Sequence, residues 1–132
     1  MDIKGIRAGN LLIYEACTCM VLGTDITGPA KLCVKAVSHD WGNETCGSGE
    51  VEGIEITPEI LKENGFTMAG DAYPRLWRKE LGGGRRILYH LGALAMDFEN
   101  TAGRMRVPWP VRYVHQMQNA CIDYGAETDF RA

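Results

Sequence analysis

The chain has 132 residues and a mass of 14.6 kDa, with 14 Lys and Arg against 17 Asp and Glu for a formal net charge of −3. A chain of this size buries about two-thirds of its extended surface on folding, so a core forms without a metal or disulfide staple, and 45% hydrophobic with 23% charged residues excludes wholesale disorder. The longest apolar run, Ile87 to Met96, is about half a bilayer span, and Met1-Asp2-Ile3-Lys4-Gly5 has no secretion-signal character, so the expectation is a single domain over residues 1–132, cytoplasmic and off the membrane.

The first half reads as strands. Leu11-Leu12-Ile13-Tyr14 follows a Gly9-Asn10 turn signal, Cys19 to Thr24 is β-prone, and Leu32 to Val37 follows Gly28-Pro29. A turn-rich tract runs from Ser38 to Gly49, and Val51 to Ile56 reads as a strand with Val51, Gly53 and Glu55 opposing Glu52, Ile54 and Ile56. These pieces predict a small bent antiparallel sheet or an SH3-like barrel.

A short helix over about 58–64 is well punctuated. Thr57 caps it, Pro58 sits where no intrahelical donor is lost, and Glu59 complements the positive end of the dipole. Gly65 ends it in a left-handed conformation, and Phe66 falls where its side chain folds back on Leu61. A β-meander follows: Tyr73 to Lys79 and Arg85 to Leu91 around Gly82-Gly83-Gly84, then Ala93 to Phe98, a turn at Asn100–Gly103, and Arg104 to Val107. The last element is an amphipathic helix over about 110–124. Its apolar arc is Val111, Val114, Met117, Cys121, Ile122 and Tyr124, with Arg112, Gln116, Asn119 and Asp123 opposite. Gln118 falls inside the arc and needs backbone partners there. The fold class is therefore α+β.

Five cysteines, an odd number, fit free thiols in a reducing compartment. Cys17 and Cys19 share one face of a strand, and Cys33, Cys46 and His39 supply further soft ligands, yet no C-x2-C knuckle is present. Cysteine as a small core hydrophobe is the better reading, with no metal and no cofactor. The nucleophile elbow, H-E-x-x-H, phosphate-loop lysine and dinucleotide fingerprint are all missing, so no catalytic residue is assigned. His115, Gln118 and Asn119 form an i, i+3, i+4 cluster read as a structural fastening for the terminal helix.

Charge is uneven. Arg75 to Arg112 carries eight basic residues against Glu80, Asp97 and Glu99, whereas residues 40–63 carry seven acids against Lys62. Arg75, Arg78, Lys79, Arg85 and Arg86 on one hairpin, interleaved with Trp77 and Tyr89, suit phosphate contact with base stacking. Overall acidity argues against that use. A non-enzymatic protein that binds a protein partner or a second copy of itself is the leading expectation, and a nucleic-acid-binding accessory protein is the alternative.

Three blocks together resemble a known family. Ile6-Arg7-Ala8-Gly9-Asn10-Leu11-Leu12 is similar to an I-R-x-G-N opening, Ile54-Glu55-Ile56-Thr57-Pro58-Glu59-Ile60-Leu61 ending in Asn64-Gly65-Phe66 to an I-x-I/L-T-P/E-E-x-L-x3-G-F block, and Tyr113-Val114-His115-Gln116-Met117-Gln118-Asn119 to a Y-V-H-Q-L-Q-N helix. They resemble a family of short uncharacterised proteins from anaerobic gut bacteria and their prophages. The resemblance covers about a third of the chain. It implies an architecture and carries no catalytic residues across.

Overall fold

The computed structural model describes residues 5–25, 31–37, 42–69, 75–126, 130 and 132. It is α+β, with two antiparallel sheets of five strands and two helices. The chain divides into two compact units, one drawing on Met1–Glu55 and Tyr113–Asn119 with Ala132, the other on Ile56–Arg112 and Ala120–Arg131. His39 and the first residues of the 73–79 segment lie outside the described residues.

In the first unit, β1 (Leu11–Tyr14), β2 (Cys17–Asp25), β3 (Lys31–Ala36), β4 (Asn43–Gly47) and β5 (Val51–Gly53) lie in the order β4-β3-β2-β1-β5. That order, with a one-turn 3-10 helix at Ser48–Glu50 before β5, is the connectivity of an SH3-like barrel. The β1–β2 turn is Glu15-Ala16, both left-handed at φ 53° and 60°, positions that Asn-Gly normally takes without strain. A register shift between Val21 and Gly23 bends β2. Alternation turns Leu12, Tyr14, Cys19, Val21, Leu32, Val34, Ala36, Cys46 and Val51 into one core, with Cys17 packed against it. Cys17 and Cys19 do share a face, but Cys33 alternates to the other side of β3. The strand β4 corrects the sequence reading, which took this whole stretch as turn. Cys46 is its one buried residue, so the pattern has too few apolar positions to announce a strand, and pairing with β3 supplies what local signal lacks.

In the second unit, α1 (Pro58–Glu63) has the expected caps. The Thr57 hydroxyl accepts from Ile60 N–H at 3.3 Å. Phe66 N–H donates to Leu61 O at 2.9 Å and Gly65 N–H to Lys62 O at 3.1 Å, with Gly65 at φ +85°, a Schellman ending. The second sheet runs β10-β9-β8-β7-β6, from β6 (Thr67–Met68) through β7 (Leu76–Gly82), β8 (Arg85–His90) and β9 (Ala95–Asn100) to β10 (Gly103–Arg106). One face buries Trp77, Ile87, Tyr89 and Met96, and the Tyr89 hydroxyl donates to Val111 O at 2.6 Å. Phe98 stacks on Tyr124 at 4.9 Å between ring centroids.

The terminal helix α2 (Val114–Asp123) starts later than its periodicity predicts. Residues 111–113 spend their backbone elsewhere: Val111 N–H donates to Leu94 O, Arg112 O accepts from Ile56 N–H, and Tyr113 bridges Glu55. Those bonds fix extended backbone, so helical geometry begins only at Val114, where the Gln116 side chain reaches back to Tyr113 N–H at 3.0 Å. Two facing assignments also change. Asn119, expected on the solvent side, is buried, and Ile122, expected inside, is 52% exposed. Within the described residues no helix is long and apolar enough to cross a membrane.

Candidate interaction surface

The His115–Gln118–Asn119 cluster lies in the first unit and ties α2 to the turn before β1. Asn119 Oδ1 accepts from Asn10 Nδ2 at 2.8 Å, and Asn119 Nδ2 donates to Gly5 O at 2.7 Å. Gln118 Oε1 accepts from Leu11 N–H at 2.9 Å while its amide donates to Gly9 O at 3.2 Å, the backbone bonding its position required. Asn10 Oδ1 in turn accepts from Arg7 N–H at 2.7 Å. His115 is buried and stacked on Tyr113 at 5.7 Å, with Nδ1 lacking a hydrogen-bond partner. Burial pushes its pKa below the ordinary imidazole value. Every amide in this cluster is committed to the fold, which leaves little with which to hold a ligand.

The second unit is different. Strand register aligns charged residues on the sheet face opposite Trp77 and Tyr89. Arg78 pairs with Leu88, Glu80 with Arg86, Arg86 with Glu99, Leu88 with Asp97, Arg104 with Glu99 and Arg106 with Asp97. Directly opposed residues point the same way, so four arginines and three carboxylates share one surface over the buried Leu88. They connect in sequence. Arg78 Nε lies 3.3 Å from Glu80, Arg86 Nε 3.7 Å from Glu80 and 3.5 Å from Glu99, and Arg104 Nη2 2.8 Å from Glu99. Asp97 lies beneath, fully buried, gripped by Arg106 through Nε at 2.8 Å and Nη2 at 3.1 Å, with His90 Nε2 at 3.4 Å. Burial alone would raise the Asp97 carboxyl, but the Arg106 guanidinium and then His90 outweigh it and hold its pKa below the usual value. The Nε groups of Arg78 and Arg86 are buried without a well-aligned acceptor.

The five basic residues singled out on the hairpin do not form one patch. Arg78 and Arg86 belong to the charged face, and Lys79 alternates to the other side, its ammonium 5.9 Å from the Phe66 ring and 5.8 Å from Phe130. Arg85 is exposed beside the hairpin tip, and Arg75 lies over Gly92, where a Cβ would come within 2.7 Å of its guanidinium. Trp77 and Tyr89 are 2% and 0% exposed, which removes the stacking platform the sequence suggested. Sequence reasoning counted Arg104 and Arg106 but did not place them opposite Asp97 and Glu99. The spacings Asp97-x-Glu99 and Arg104-x-Arg106 carry the signal, and it becomes readable only with the register.

Among the described residues no group of three or more His, Cys, Asp or Glu is arranged to hold a metal ion. No protein-family model, curated protein or solved structure matches this chain. Its fold and surface therefore describe an α+β chain whose second sheet presents an ordered, mixed-sign polar face.

Proposed function

We propose that this chain is a non-enzymatic protein that docks a protein partner on the charged face of its second sheet. The observation carrying this reading is the alternation of sign across that face: Arg78, Arg86, Arg104 and Arg106 are interleaved with Glu80, Glu99 and Asp97. A nucleic acid is held by a continuous positive surface that releases counterions, and three carboxylates interrupt this one. A protein surface of mixed charge meets it better, because complementary signs set orientation and exclude wrong partners. Arginines already held by carboxylates lose less side-chain freedom on binding, and arginine is enriched in protein interfaces.

The same proposal takes the chain as a cytoplasmic relative of the short proteins of anaerobic gut bacteria and their prophages. Support comes from two of the shared blocks touching one another, Gly9-Asn10-Leu11 with Gln118-Asn119. Such contacts are reasons for these residues to occur together in one architecture.

Photo-crosslinking tests the docking reading. A benzophenone side chain is introduced at Glu80, on the face, and separately at Glu59 on α1, and both proteins are irradiated in bacterial extract. Protein adducts at position 80 and not at 59 are expected. Adducts equal at both positions, or none at 80, overturn it. The second reading, nucleic acid on Arg75, Arg78, Lys79, Arg85 and Arg86, takes its place if labelled DNA or RNA binds tightly, weakens steeply with salt, and is released by Arg85→Glu/Arg86→Glu.

A further inference from the structure

The strand β10 forms one edge of the second sheet. All four of its residues are exposed, and among the described residues it pairs with β9 alone. The pleat decides which groups face outward. Val107 N–H donates to Met96 O at 2.9 Å, so Met105, two residues earlier, also turns its N–H and C=O towards β9. Arg104 and Arg106 then turn theirs away from the sheet, as antiparallel alternation requires. The side chains of the same two residues form the rim of the charged face, 54% and 59% exposed. Met105, 56% exposed, stands between them on the opposite face. Each guanidinium spends Nε and Nη2 on a β9 carboxylate, which lies inward from the edge, and keeps further N–H donors.

We infer that β10 is a β-addition site for an extended acidic segment of a partner protein, with carboxylates at alternate positions opposite Arg104 and Arg106 and an apolar residue between them beside Met105. This rests on the docking reading above and narrows it to one edge and one partner chemistry. Main-chain pairing supplies the attachment and the alternating side chains supply the choice of partner. A second copy of this chain is the wrong occupant. Continuing the sheet antiparallel across a two-fold axis keeps both pleats in phase only when the axis passes through a residue pair. Centring it on residue 104, 105 or 106 sets Arg104 against Arg104, Arg104 against Arg106, or Arg106 against Arg106. Like charges directly opposed disfavour each register. The arginines that guard the edge against self-pairing are the ones that attract acidic side chains.

Fluorescence anisotropy with the peptide Thr-Glu-Val-Glu-Val-Glu-Thr tests this, beside a version with Lys for each Glu and two versions N-methylated on alternate sets of amides. The acidic peptide is expected to bind at least about tenfold more tightly than the lysine peptide, and one of the two methylated versions is expected to lose binding. Arg104→Glu should reverse the preference between acidic and lysine peptides; Arg106 is left in place because Asp97 depends on it. Equal binding of the acidic and lysine peptides, no binding of either, or full binding of both methylated versions overturns the proposal, as does a dimer in sedimentation that Arg104→Glu dissociates. The two readings fail separately. Adducts at Glu80 without peptide binding reject the edge and leave the face, while peptide binding without adducts at Glu80 keeps the edge and rejects the face.

Discussion

Asp97 is the residue on which the order of the charged face depends, and its replacement separates a structural carboxylate from an ordinary surface ion pair. Its side chain is 1% exposed and takes two hydrogen bonds from Arg106, with His90 at 3.4 Å. Asp97→Asn keeps the volume but puts an amide N–H where only acceptors are wanted, against guanidinium donors. A charge-assisted hydrogen bond contributes about 1.5–3 kcal/mol, and the arginines are exposed enough to turn to water, so a net cost of about 2 kcal/mol is expected. Asp97→Leu removes the carboxylate altogether, adjoins the apolar Leu88, and releases the arginines to solvent. It should cost less than the Asn variant, under about 1 kcal/mol, because Arg104 and Arg106 are more than half exposed and no uncompensated charge is left buried. Urea denaturation followed by tryptophan fluorescence and circular dichroism measures both. With a slope of about 2 kcal/mol/M the Asn variant shifts the midpoint by about 1 M. The pH dependence has a definite sign. Because the folded pKa is depressed, the contribution of Asp97 is complete above its unfolded value, about 3.9, and is lost as pH falls through the folded value. An Asn variant within about 0.5 kcal/mol of the parent, the range of exposed pairs, refutes this account. A Leu variant less stable than the Asn variant does so too.

Asn119→Ala leaves the buried Asn10 amide and the Gly5 carbonyl without their partners and should cost about 2–4 kcal/mol in the same assay; Gln118→Ala, at a half-buried position, should cost about 1 kcal/mol. His115 is held neutral by burial, so the unfolded chain takes up its proton more readily. Stability is then level above about pH 6.5 and declines on acidification, by up to about 1.4 kcal/mol per pH unit for one proton. His115→Phe, which retains the ring on Tyr113, should flatten that decline between pH 7 and 5.5. Parallel curves for the two proteins contradict the reading.

Much of the second unit's outline is legible locally. Thr57, Pro58, Gly65 and Phe66 bound α1, and the Gly82-Gly83-Gly84 and Asn100–Gly103 turns separate the strands around them. The beginning of α2 is not legible, because hydrogen bonds from Leu94 and Ile56, distant in sequence, hold residues 111–112 out of the helix. The charged face is legible only in halves. Arg104 and Arg106 announce themselves as a pair, and nothing near them in sequence says that Asp97 and Glu99 lie across the strand.

Composition, caps and turns settle where α1 begins and ends and which class of fold is built, since those effects act within a few residues. The strand order of the barrel-like sheet, the burial of Trp77 and Tyr89, the inward turn of Asn119 and the sign alternation over Asp97 belong to the tertiary structure alone. Each depends on which strand lies beside which and in what register. One residue of slippage would exchange the faces of a strand, so the charged face exists only once the sheet is assembled.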